Sequence, residues 1–131
     1  MDEYATLKLA PARRAPRLAR KFVADTLDGW AVDAEDIEAA QLLVSELVTN
    51  ALLHAWESSS ITLELRMAAG AVRVMVSDQS LRVPEQRDAP LSAEGGRGVE
   101  LVDALAARWG AELHHPEGKT IWCELRTASR A

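Results

Sequence analysis

The stretch "SELVTNALLHA" (residues 45–55) is mostly apolar, but three polar residues interrupt it at intervals of four: Glu46, Asn50 and His54. Residues four apart lie on one face of a helix, so a carboxylate, an amide and an imidazole would form a single line. Asn is a mediocre helix former because its side chain competes for backbone hydrogen bonds. For Glu46 and Asn50 a solvated face is one alternative, but the apolar residues on either side of them favour a face toward a cleft. His54, near the end of the helix, is expected only to serve the last backbone carbonyls.

The apolar residues around this line predict a long helix from Ala34 to about Ala55. They recur with the 3.6-residue period of a helix: Ile37, Ala40, Val44, Leu47, Val48, Ala51 and Leu52. Before it, "YATLKLA" (residues 4–10) alternates as a short strand. The stretch "APRLARKFVADTLDGW" (residues 15–30) predicts a helix with Leu18, Phe22 (with Val23) and Leu27 on one side and a stop at Gly29.

After the long helix, "ITLELRM" (residues 61–67) and "AVRVMVSD" (residues 71–78) alternate at period two and predict an antiparallel hairpin. A long apolar-poor loop leads to "GGRG" (residues 95–98) and a third helix, and a second hairpin closes the chain. The order β-α-α-β-β-loop-α-β-β predicts an α/β fold, a two-layer sandwich of a mixed, mostly antiparallel sheet with helices on one face. Residues 1–131 are expected to form a single domain.

Composition narrows the function classes. The net charge of −5 argues against direct nucleic-acid binding, which usually needs a basic surface. Cys123 is the only cysteine, so an intrachain disulfide is impossible. No apolar run approaches the roughly 20 residues that span a bilayer, and we expect a soluble, cytoplasmic protein that does not bind membranes.

Two further places carry candidate chemistry. Gly96 and Gly98, with Arg97 between them, directly precede a predicted helix, an arrangement that suits phosphate, although glycines before a helix often form only a turn. Asp78 ends an apolar strand, where its carboxylate is either a turn residue or the acceptor for an amine in a buried pocket. On the long helix, the Asn50 amide oxygen suits Mg²⁺, and Glu46 could orient or deprotonate a nucleophile.

In combination these segments resemble one family. "ELVTN" on a helix, a strand-end Asp, "GGRGVELV" opening a helix and "GKTIW" in a final hairpin occur in one order, which resembles the Bergerat-fold ATP-binding family of histidine kinase-like ATPases. Within that family the chain is similar to the small, free-standing branch of anti-sigma factors that are serine/threonine protein kinases. The resemblance runs from about residue 7 to residue 126.

The resemblance implies ATP and Mg²⁺ as cofactors and assigns roles residue by residue. Asn50 would be the Mg²⁺ ligand and Glu46 the catalytic base or orienter. Asp78 would read adenine, and Thr120, flanked by Lys119, would support the adenine pocket.

For the phosphates, the resemblance implies that Gly96 and Gly98 form the receiving box, with Arg97 as a phosphate-contacting cation. The loop from Gln79 to Gly95 corresponds to a lid over the nucleotide. The chain departs from the family after Asp78, where "DQSLR" replaces the usual D-x-G-x-G.

Two functions remain open at this point. One is an anti-sigma factor that transfers the ATP γ-phosphate to an anti-anti-sigma (STAS-type) protein and sequesters a sigma factor, as "ELVTN" and "GGRG" favour. The alternative is a non-catalytic module that binds a sigma factor or antagonist with weak or no nucleotide binding, as "DQSLR" favours. A homodimer is a further partner that the resemblance leaves open.

Overall fold

The computed structural model describes residues 2–54, 60–79, 106–114 and 118–127. Its elements are β1 (Glu3–Leu9), α1 (Ala15–Gly29), α2 (Ala34–His54), β2 (Ile61–Ala68), β3 (Ala71–Asp78), β4 (Arg108–His114) and β5 (Gly118–Arg126). The third predicted helix and most of the predicted lid lie outside the described residues.

The described strands form one sheet with the order β1-β2-β3-β5-β4, and every pairing in it is antiparallel. Burial alternates along the central strands, with Leu63, Leu65 and Val74 fully buried between exposed or half-buried neighbours. This alternation means that one face of the sheet is covered, and α2 covers it by packing on β3 and β5. The predicted two-layer α/β fold is confirmed.

The hairpin between β2 and β3 turns through two residues with left-handed backbone, Ala69 (φ 53°) and Gly70 (φ 75°). Positive φ at both central positions is the geometry of the tight hairpin turn whose twist matches that of the strands. The turn is also tied to the end of the chain's last strand, since the Thr127 amide donates to the Gly70 carbonyl over 2.9 Å.

The inner face of α1 differs in part from the predicted one. Small residues at intervals of four, Ala15 and Ala19, are buried with Val23 and Leu27, whereas Leu18 is exposed. Because α1 packs closely along α2, small side chains occupy the contact between them. Leu18 instead lines a groove of about 360 Å³ between α1 and β1.

Helix α2 matches its predicted span and most of its predicted stripe. Among the described residues, no helix has the length and apolar character that crossing a membrane would require.

Candidate nucleotide site

Asn50 lies on the buried side of α2, although it is polar. Its side chain is only 1% exposed, and its Oδ1 atom has no hydrogen-bond partner among the described residues. A buried polar atom without a partner usually costs stability, so native proteins keep few of them. An amide oxygen held in this state is a hard ligand, and the chemistry of this donor fits Mg²⁺.

Glu46 lies one helical turn before Asn50 and is half-buried. The spacing of four places both side chains on the same side of α2, as the sequence predicts. The helix ends at His54, the third member of the line.

Asp78 and Lys119 form a buried ion pair at the ends of β3 and β5. The two residues are directly opposite each other in the antiparallel register. The Lys119 ammonium donates to both carboxylate oxygens, over 3.0 Å to Oδ1 and 3.1 Å to Oδ2. Asp78 is 4% exposed and Lys119 is 1% exposed, so each charge depends on the other for compensation.

Gly118 makes this pairing possible. Its φ of +128° is a conformation that L side chains rarely adopt, and an added Cβ would lie 2.0 Å from the Asp78 carbonyl oxygen. The start of β5 can therefore approach the end of β3 only with glycine at this position.

Thr120 does not join Asp78. Because side chains alternate along a strand, Thr120 points to the face of the sheet opposite to Lys119. There its hydroxyl is 2.7 Å from the Ser77 hydroxyl and 3.0 Å from His114 Nε2. Lys119, expected only to flank Thr120, is thus the residue of this segment that contacts Asp78, and the role of Thr120 in an adenine pocket stays a prediction.

The position of Lys119 had a signal in the sequence. It lies on the same face of β5 as three buried residues, Ile121, Cys123 and Leu125. A lysine at a core-facing position needs a buried counter-charge, and Asp78 lies on the core-facing side of β3.

The remaining predicted site residues, Gly96, Arg97 and Gly98, lie outside the described residues. Within the described ranges, no group of three or more His, Cys, Asp or Glu side chains is placed to hold a metal ion. A metal at Asn50 would therefore need ligands other than such a cluster, and phosphate oxygens and water are the usual ones for Mg²⁺.

The described parts of the site lie in one layer of the molecule. Asn50 on α2 and Asp78 on β3 both belong to the buried layer between helix and sheet, and α2 packs on β3. An amide oxygen and an ion-paired carboxylate are thus carried by two elements that contact each other.

Comparison with known proteins agrees with this arrangement. The family model of the histidine kinase-like ATPase domain matches residues 9–125. The chain belongs to the histidine kinase-like ATPase family. ATP is the ligand that the family name implies.

Individual relatives cover the chain to different extents. It is 40% identical over 101 residues to blue-light-activated histidine kinase 2 of Erythrobacter litoralis, a match over 74% of this chain and 28% of that protein. It is 33% identical over 84 residues to an uncharacterized protein of Streptomyces coelicolor, over 62% of this chain and 79% of that protein. The histidine kinase is therefore much longer than the region that this chain matches.

Among solved structures, the chain is similar to a crystal structure of RsbU and RsbW domains from Mycobacterium tuberculosis. The TM-score is 0.72 at 22% sequence identity, over 98% of this chain and 33% of that one. At this identity the similarity shows the fold.

Proposed function

We propose that this chain is an anti-sigma factor with serine/threonine protein kinase activity. It binds Mg·ATP, transfers the γ-phosphate to an anti-anti-sigma (STAS-type) protein, and sequesters a sigma factor. The observation that carries the ATP site is the buried Asn50 Oδ1 without a hydrogen-bond partner in the described residues, within a family of ATPase domains. The anti-sigma branch and its partners are supported by the motif resemblance of "ELVTN" and "GGRGVELV".

In this proposal Asn50 would hold Mg²⁺, which neutralises the charge of the triphosphate. Glu46, one turn away, accepts the proton of the partner's serine or threonine hydroxyl. The hydroxyl oxygen bonds to the γ-phosphorus, the bond from that phosphorus to the β–γ bridging oxygen breaks, and ADP leaves. The new phosphate adds nearly two negative charges to the partner and so weakens a complementary interface.

Gly96, Arg97 and Gly98 complete the proposal as the phosphate-receiving segment, as the resemblance implies. Backbone N–H groups at a helix start and an Arg fork both suit phosphate oxygens.

The alternative function is a non-catalytic module that holds a sigma factor or antagonist stoichiometrically. The Asp78–Lys119 ion pair favours it, because an ammonium that compensates the charge of the carboxylate makes it a weaker acceptor for a base.

Calorimetric titration with Mg·ATP and transfer of labelled γ-phosphate to a STAS-type protein test the proposal. Asn50→Ala should abolish both binding and transfer. Gln41→Ala is the matched control, since Gln41 is an amide on the same helix that donates to the Arg20 carbonyl on α1. The control should bind and transfer as the parent protein does. Transfer that survives Asn50→Ala would refute the metal assignment, and a parent protein that binds a sigma factor but no nucleotide would establish the alternative.

A further inference from the structure

The Asp78–Lys119 pair is exceptional for its place in the fold. All other described residues of β3 and β5 that lie on the same face of the sheet are apolar: Val72, Val74, Val76, Ile121, Cys123 and Leu125. A buried ion pair is weak evidence for stability, because well-packed apolar residues often replace one at no cost. The pair therefore calls for a role besides holding two strands together.

That role follows from what the pair does to the carboxylate. A lone carboxylate accepts strongly from an exocyclic amine, since bonds to an ionised acceptor are about twice as strong as neutral ones. In this chain Lys119 Nζ lies 3.0 and 3.1 Å from the two Asp78 oxygens, and neither side chain is open to solvent. A base that uses Asp78 must bond to the remaining lone pairs of a carboxylate whose charge Lys119 already compensates, so its bond to the amine is weaker than a bond to a lone carboxylate.

We propose that Lys119 is a specificity-determining residue that competes with the nucleotide base for Asp78. The competition lowers the affinity for ATP and removes most of the preference for a base that carries an exocyclic amine. This inference rests on the proposed nucleotide binding and names how the same site treats the base.

The test compares ATP with purine riboside 5′-triphosphate, which lacks the 6-amino group, in calorimetric titrations with Mg²⁺. The parent protein should bind the two nucleotides within about threefold of each other. Lys119→Met keeps the length and the apolar stem but removes the ammonium, so Asp78 is released for the amine. That variant should prefer ATP by about tenfold or more, the usual value of a hydrogen bond to a charged group.

A substitution that only destabilised the fold would weaken the binding of both nucleotides, and the ratio of the two affinities would stay unchanged. Circular dichroism and thermal unfolding establish that each variant folds. Should Lys119→Met fail to fold, Lys119→Gln serves instead, because its amide can donate to one oxygen and leave the other for the base. Its preference for ATP should exceed that of the parent protein.

The outcomes separate the two proposals. Equal ATP preference in the parent protein and in the folded Lys119 variant, with both binding ATP, overturns the role of Lys119 and leaves the proposed function standing. If the parent protein strongly prefers ATP over the nucleotide without the 6-amino group, the role of Lys119 is overturned as well. If neither protein binds either nucleotide, the proposed function fails, and the role of Lys119 fails with it.

Discussion

Asn50→Ala should stabilise the nucleotide-free protein, although Asn50 is buried in α2. The Oδ1 atom, which has no partner within the part of the chain that the structure describes, costs about 1–3 kcal/mol as a desolvated polar group. Ala is also the better helix former, by up to about 0.7 kcal/mol. Loss of the small side chain's packing offsets part of this gain, at about 0.8 kcal/mol per methylene-sized group. The expected net change is a rise of about 1 kcal/mol in the free energy of unfolding.

Urea unfolding followed by circular dichroism, without nucleotide, measures this change. Val48→Ala is the matched control on the same helix, because Val48 is fully buried and apolar. The control should lose about 2 kcal/mol from lost burial and the cavity left behind.

A loss of 1 kcal/mol or more in Asn50→Ala would refute the reasoning, because it would mean that the amide is satisfied in the folded protein. With saturating Mg·ATP, the parent protein should instead have the higher free energy of unfolding and Asn50→Ala the lower. Ligand stabilises only the protein that binds it, by about 2.7 kcal/mol at a concentration one hundred times Kd. Asn50 would then be a residue at which binding is gained at the expense of stability.

Three further predictions concern the sheet. Burial raises the pKa of Glu124, but hydrogen bonds and charge from Arg108 and Arg73 outweigh burial and lower that pKa below its ordinary 4.5. The stability from this pairing is present above pH 4.5 and is lost as pH falls through the lowered pKa. Glu124→Gln should therefore flatten the acid limb of a curve of stability against pH, and an unchanged limb would contradict this. Burial, and next the charge of Glu124, raises the pKa of Cys123 to about 12, so a thiol reagent at pH 8 should label it only as fast as the protein unfolds. Ala69→Gly should raise the unfolding free energy by about 0.5 kcal/mol in urea titrations, because relief of a left-handed alanine exceeds the entropy cost of glycine; a loss of stability would show that Ala69 is unstrained.

Much of the fold could be predicted because it depends on local periodicity. In both hairpins and in the long helix, the hydrophobic period is visible within one continuous segment of sequence. The described parts of these elements lie where the sequence predicts them. The inner face of α1 could not be predicted in the same way. Leu18 and Ala19 are neighbours on the helix, and only the close packing against α2 selects the smaller one for burial.

The candidate site divides similarly. The sequence by itself determined the polar line Glu46–Asn50 and the strand-end Asp78, since each follows from spacing within one element, and the order of the motifs indicated the family. Their roles, with those of Gly96, Arg97, Gly98 and Thr120, stay predictions.

Only the tertiary structure decided which side chains meet. Antiparallel pairing between β3 and β5 sets Lys119 and not Thr120 against Asp78, and a shift of one residue would have exchanged them. Packing of α2 on the sheet decided that Asn50 is buried with its oxygen unpartnered in the described residues. Register and helix packing join residues distant in the chain, so their physical cause lies in contacts that no local pattern contains.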